Sequence, residues 1–270
     1  MIHVRVVVGM CIRVMDEFVT VRFNDGFDPV DALFQVAAGH AYSVSMGIPL
    51  KLCFTDTKVG KSLSRYMRNV ETHDGNYPDN AWYGYLGQMD MPVIEGGVTL
   101  YSRYRSPFLF KDYADSLRSL FVDVTKEDRT LVLLDNIPNS VNNKKGFTSL
   151  VWLNYVINML KEEMSYKNPL VCSMLYGASV PLFSRPLNTV VHQYDRSPDE
   201  VFRVIFESAC SNIVMAPNLD SWWVKFFRPS IQAVVQGEWP FSEAELNWLE
   251  CSSAKNTLRR VNVLDILTTL

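Results

Sequence analysis

Residues 197–227, SPDEVFRVIFESACSNIVMAPNLDSWWVKFF, hold the densest set of groups with a chemical use. A short apolar run, 213–215, stops at Pro217 and gives way to Asn218, Asp220 and Ser221. Any of these three caps a helix that continues through Trp222, Trp223, Phe226 and Phe227. A strand that runs into a helix N-terminus directs free backbone N–H groups at whatever lies above the sheet, which suits a phosphate. The same pattern also describes an ordinary strand–helix corner with two core tryptophans. Arg103 and Arg105 alternate along a stretch read as a strand, so both point to one face and form a candidate anion site, or else line a solvated edge. Asp28 and Asp31 follow an Asn24-Asp25-Gly26 turn, and either carboxylate caps the next helix. The five cysteines and four histidines are scattered without ligand spacing, so no metal site is expected.

The elements that must position these groups alternate between strand and helix. Residues 4–8 and 18–23 read as strands, and a helix follows through Ala32, Leu33, Val36, Ala37 and Tyr42 until Gly47 ends it. Residues 48–54 then read as a strand, which completes a βαβ unit and predicts a parallel sheet. Residues 55–98 read as loops with short strands, in which Trp82, Tyr83 and Tyr85 serve either as platforms for sugar rings or as core plugs. An amphipathic helix over 112–121, a strand over 130–134, a polar linker over 140–147 and a long helix over 148–161 follow. Strands at 169–175 and 190–193 precede a helix that Ser197 caps, with Glu200 completing a capping box. Strands at 213–215 and 231–235 come next, and residues 256–270 close the chain as helix or strand.

The 270 residues are 48% hydrophobic and 20% charged, a globular rather than disordered balance. A net charge of −3 gives no broad attraction to nucleic acid or acidic lipid. The opening MIHVRVVVGMCIRVM contains Arg5 and Arg13 and is too short to span a bilayer. It also lacks a small-residue cleavage site. A cytoplasmic protein with reduced cysteines, no integral membrane segment and no nucleic-acid partner is therefore expected.

Ser208, Cys210, Ala216, Ser221, Trp222 and Trp223 resemble the C-terminal signature of the α-1,2-fucosyltransferases. That signature runs from a serine-x-cysteine through two isoleucines to alanine-asparagine-serine-serine-phenylalanine-serine-tryptophan-tryptophan. Pro217, Asp220 and Val224 depart from it. Leu33, Phe34, Gln35, Ala37 and Gly39 match the helix that follows the family's glycine-rich turn, but FDPVDA replaces the turn itself and only Gly26, displaced, remains. Ser106, Phe108 and Phe110 are similar to a third segment, and Trp239-Pro240-Phe241 to the family's aromatic close. Where the family ends a strand in histidine-x-arginine-arginine-glycine-aspartate, whose arginine grips the donor phosphate, this chain has Leu134, Asp135, Asn136, Ile137, Pro138 and Asn139. A neutral asparagine cannot replace a bidentate arginine. Ser173, Met174 and Leu175 likewise stand where the family has serine-aspartate-aspartate.

The resemblance implies an α/β fold with two Rossmann-like halves facing a cleft, the arrangement called GT-B. Residues 1–145 would form the acceptor half and 146–270 the donor half. It implies an inverting, metal-independent glycosyltransferase without a cofactor, moving fucose from GDP-fucose or a related nucleotide sugar to a glycan hydroxyl. Such chemistry needs a base for the acceptor hydroxyl and stabilisation of the leaving diphosphate. Asp28, Asp31 and Asp135 are the candidate bases. Asn136, Asn218, Asp220, Ser221, Trp222, Arg103 and Arg105 are the candidate nucleotide-sugar contacts. The loss of charged motif residues at three places supports an alternative: a catalytically inactive relative that binds glycan or scaffolds a complex.

Overall fold

A helix buried on nearly every side organises the first half. The structure, a computed structural model, describes residues 17–83, 96–124, 127–134, 150–163, 169–173, 191–215, 218–236 and 258–261. β1 (Val19–Val21) leads through the Asn24 turn to α1 (Pro29–Met46). Asp28 caps α1 and shares a reciprocal capping box with Asp31, and Pro29 occupies the first turn. Gly47 ends the helix with φ 69°, a left-handed conformation that favours glycine. Gly39 marks the closest approach of α1 to β1: a Cβ there would sit 2.8 Å from Val21 Cγ1. Gln35 is a polar residue of this helix. It is buried, because α1 is covered all round, and its Nε2 donates to the Arg22 carbonyl at 3.1 Å.

The chain continues through β2 (Lys51–Leu52), α2 (Lys58–Leu63), β3 (Glu71–Thr72), β4 (Asn80–Trp82) and β5 (Val98–Leu100). Strands β1, β5 and β4 form one parallel sheet with β5 central, and a parallel bridge from Val19 to Leu50 reaches toward the β2–β3 pair. After α3 (Ala114–Arg118) come β6 (Thr130–Leu134), α4 (Leu150–Glu163), β7 (Leu170–Ser173), β8 (Val191–Gln193), α5 (Pro198–Glu207), β9 (Asn212–Met215), α6 (Leu219–Phe226), β10 (Gln232–Gln236) and β11 (Leu258–Val261). The second sheet, ordered β11-β10-β9-β6-β7-β8, is parallel throughout. The α/β class with parallel sheets expected from the alternation is the one the structure has. By pairing with β7 and β9, β6 belongs to the second sheet. The strand expected at 4–8 and the linker at 140–147 lie outside the described residues. No helix among the described residues is long and apolar enough to cross a membrane.

One apolar core runs between the two sheets. Phe34 of α1 meets Trp223 of α6 edge-on, with ring centroids 4.9 Å apart, and Phe110 stacks on Trp223 at 5.9 Å. Behind this joint, two buried cations tie α6 to its neighbours through backbone carbonyls. Arg228 donates to the carbonyls of Ile205 at 2.7 Å and Ser208 at 2.9 Å, satisfying the end of α5. Lys225 Nζ donates to Pro229 and Ile231, each at 2.9 Å, closing the turn into β10.

Burial, with Arg118 adding like charge, lowers the Lys225 pKa to about 8. The folded state therefore releases this proton at a lower pH than the unfolded chain does. Stability attributable to Lys225 should rise with pH from about 8 to the ordinary lysine range near 10.4. Urea denaturation across that window should show this rise in the wild type and a flatter profile in Lys225→Met; parallel profiles would reject it.

Candidate functional site

The start of α6 stands at the carboxyl edge of the second sheet, where open α/β sheets receive ligands. Register places Met215 of β9 beside Leu133 of β6, so the chain leaves both strands at one edge. Asn218 is the cap: its Oδ1 accepts the Ser221 N–H at 2.9 Å. The first intrahelical bond runs from the Trp222 N–H to the Asn218 carbonyl, so the Leu219 and Asp220 N–H groups precede it. Ser221 is fully buried, and neither its hydroxyl nor Asn218 Nδ2 has a hydrogen-bond partner. Trp222 belongs to the core, stacked on Phe226 with centroids 5.3 Å apart.

A free Asp220 carboxylate would oppose a phosphate at this edge. The structure instead buries it to 2% exposure and pairs it with Arg196, while Tyr194 donates to the same oxygen, Oδ2, at 2.8 Å. Burial pushes the Asp220 carboxyl upward, against the pull of Arg196 and Tyr194. The other arm of Arg196 binds Asp28, the cap of α1. Burial works against the Arg196 charge, but Asp220 and Asp28 outweigh it and raise the guanidinium pKa. One arginine thus joins the starts of α1 and α6. Sequence reasoning did not select Arg196; it sits between a short strand and a helix and belongs to no motif.

Asp31 is wholly buried and gripped by Arg105, whose Nη2 lies 3.0 Å from Oδ2 and whose Nε binds Oδ1. Arg103 Nε is 3.6 Å from the same carboxylate, and the Arg103 guanidinium lies 5.1 Å from the Phe27 ring centroid. Burial pushes the Asp31 carboxyl up, and Arg105 opposes the shift. The two arginines do share a target, but not as alternate residues of a strand: β5 ends at Leu100, and Tyr104 between them has φ 47°. Asp28 and Asp31, expected as candidate bases, cap α1 and make three ion pairs, Asp28 with Arg196 and Asp31 with Arg105 and Arg103. Asp135 and Asn136 lie outside the described residues. Ser197 occupies the cap position of α5, but without a side-chain cap bond.

A second concavity of about 670 Å³ opens at the carboxyl edge of the first sheet. Its walls come from chain segments far apart in sequence, including Arg22, Asp56, Tyr77, Asp79, Tyr83 and Tyr101.

No family model matches the chain, and no curated protein does. Solved structures that are similar to it include the Arabidopsis thaliana FUT1 mutant in complex with GDP, at 10% identity and TM-score 0.48, over 81% of this chain and 70% of that one. NodZ α-1,6-fucosyltransferase soaked with GDP-fucose is similar at 11% identity and TM-score 0.42, over 81% of this chain and 95% of that one. A selenomethionine form of the fucosyltransferase NodZ from Bradyrhizobium is similar at 10% identity and TM-score 0.38, over 80% and 92%. What the chain's own topology defines, among the described residues, is an α/β protein with parallel sheets.

Proposed function

We infer that this chain is a glycosyltransferase-like protein of GT-B type, which holds a nucleotide sugar such as GDP-fucose at the start of α6 and a glycan on the first-sheet side. The observation that carries this is Ser221: it falls in register with the serine-tryptophan-tryptophan signature and sits, with an unpartnered hydroxyl, at a helix start on a parallel sheet edge. The helix start supplies about half a positive charge and free N–H donors for a diphosphate. A transfer without metal would rest on those dipoles and on cations nearby, such as Arg196, which is paired with Asp220 in the first turn of α6. A non-catalytic, glycan-binding reading has its own support, because the Asp28, Asp31 and Asp220 carboxylates are all engaged by arginine.

Calorimetry with GDP, GDP-fucose, UDP and UDP-sugars separates the two. The transferase reading expects micromolar binding of one nucleotide series. It also expects roughly tenfold or greater weakening in Ser221→Ala, the loss of one hydrogen bond to a charged group. Asp220→Asn should tighten nucleotide binding, since it leaves the Asn218 cap intact and frees one arm of Arg196 from its carboxylate. Silence for every nucleotide with folded protein rejects the transferase reading in favour of glycan binding alone.

A further inference from the structure

The cavity at the carboxyl edge of β1, β4 and β5 has a volume within the ~300–1,000 Å³ of small-ligand sites. Polar groups make up most of its lining, so an apolar ligand would leave them desolvated and unpaired. Among the described residues, three carboxylates face it, from Asp25, Asp56 and Asp79, against one guanidinium, of Arg22.

The walls are held in place rather than loose. Asp25 accepts the N–H groups of Lys58 and Val59 at the start of α2. Tyr77 donates to Asp56 Oδ2 at 2.7 Å, and the Arg22 guanidinium lies over the Tyr77 ring at 5.3 Å. Tyr101 accepts from Asn24 Nδ2 at 2.8 Å, and Tyr83 meets its ring at 85° with centroids 5.6 Å apart. Tyr83 remains 61% exposed, the most open large hydrophobic side chain among the described residues. Asp79 is exposed at the rim, and the Asp56 carboxylate, exposed beside its Tyr77 bond, keeps lone pairs that can accept.

An exposed ring beside fixed carboxylates matches one ligand chemistry well. A pyranose has an apolar C–H face that stacks on an aromatic ring, and an edge of hydroxyl donors that carboxylates accept. The surplus of negative charge opposes phosphate, sulfate and carboxylate substituents. We propose that this cavity is a binding site for an uncharged glycan, with Tyr83 as its stacking platform, Asp56 and Asp79 as its hydroxyl acceptors, and a built-in selection against acidic sugars. The proposal deepens the glycan reading above and rests on it. It requires no nucleotide.

The test is a glycan array probed with the full chain in the absence of nucleotide, followed by saturation-transfer NMR with lactose and cellobiose, and with 3′-sialyllactose as the acidic control. Neutral glycans should be retained over acidic ones by at least tenfold. Tyr83→Ala should weaken binding tenfold or more. Because Tyr83 is exposed, this variant should keep the wild-type circular dichroism. Asp79→Asn should weaken neutral binding several-fold and narrow the discrimination against 3′-sialyllactose. No retained glycan, equal retention of acidic ones, or unchanged binding by Tyr83→Ala overturns the proposal. Glycan binding with no response to any nucleotide keeps this site and rejects only the transferase reading.

Discussion

Replacing Arg196 by methionine is expected to destabilise the protein by about 3–5 kcal/mol, the usual result of leaving one member of a buried ion pair alone. Asp220 is 2% exposed, and without Arg196 its charge has only the Tyr194 hydroxyl. Asp28, about one-third exposed, can turn to water and contributes less. At roughly 2–4 °C per kcal/mol for a chain of this size, the thermal midpoint should fall by about 6–20 °C. Two further measurements separate an uncompensated charge from mere loss of packing. Adding Asp220→Asn to Arg196→Met should recover most of the loss, because a neutral amide needs no counter-ion. The second is pH. Burial already raises the Asp220 carboxyl above its ordinary value, so between the ordinary and the raised value the folded state holds a proton that the unfolded chain has released. Stability attributable to Asp220 therefore rises as pH falls through that window. Removing Arg196 raises the carboxyl further and steepens this slope. The deficit of Arg196→Met against the wild type should shrink on acidification from pH 7 toward the carboxylate range. A variant within about 1 kcal/mol of the wild type at pH 7, the range of an exposed ion pair, or a deficit that does not shrink, would show that the pair is not the link between α1 and α6.

The parts of this arrangement that could be read from the sequence are those written locally. The strand at 130–134 is the β-branched Thr130 and four apolar residues between Arg129 and Asp135, and β6 has those limits. α1 is bracketed by Asp28 and Gly47, both of which act where their chemistry predicts. α2 was read as loop because it has six residues and takes part of its capping from Asp25, 33 and 34 residues earlier in the chain. Periodicity put Arg103 and Arg105 on one face of a strand, yet a left-handed Tyr104 separates them and a buried carboxylate gathers them. Arg196 had no local signal. Its partners lie 24 and 168 residues away, and only tertiary structure brings the starts of α1 and α6 close enough for one guanidinium. The cavity beside Tyr83 is hidden for the same reason: strand ends around residues 22, 82 and 100 become neighbours only once β1, β5 and β4 are in register.

Trp223→Ala should cost about 3–5 kcal/mol, as removal of a fully buried tryptophan does where the surroundings cannot collapse. Its ring lies among Phe34, Phe110, Phe226 and Phe227, at centroid distances of 4.9 to 5.9 Å. Each such contact adds to area burial by about 0.5–1.5 kcal/mol. The location matters more than the size of the effect. Phe34 belongs to α1, which packs on the first sheet, and Trp223 to α6, which follows β9 of the second. If this cluster is the joint that fixes the two sheets, weakening it lowers the stability of both together. Hydrogen exchange should then show the amides of β1 and of β9 losing protection in parallel, within a single thermal transition. Two transitions, with the first sheet keeping its wild-type midpoint, would show that the sheets fold as separate units about a hinge. Trp223→Phe supplies the control. Trp223 Nε1 makes no hydrogen bond, so phenylalanine forfeits area but no polar contact, and should restore more than half of the loss. The same rigidity sets the geometry for binding: with α1 and α6 locked through Phe34 and Trp223, the Asn218–Ser221 edge keeps a fixed distance from Asp28, and Arg196 can span the two.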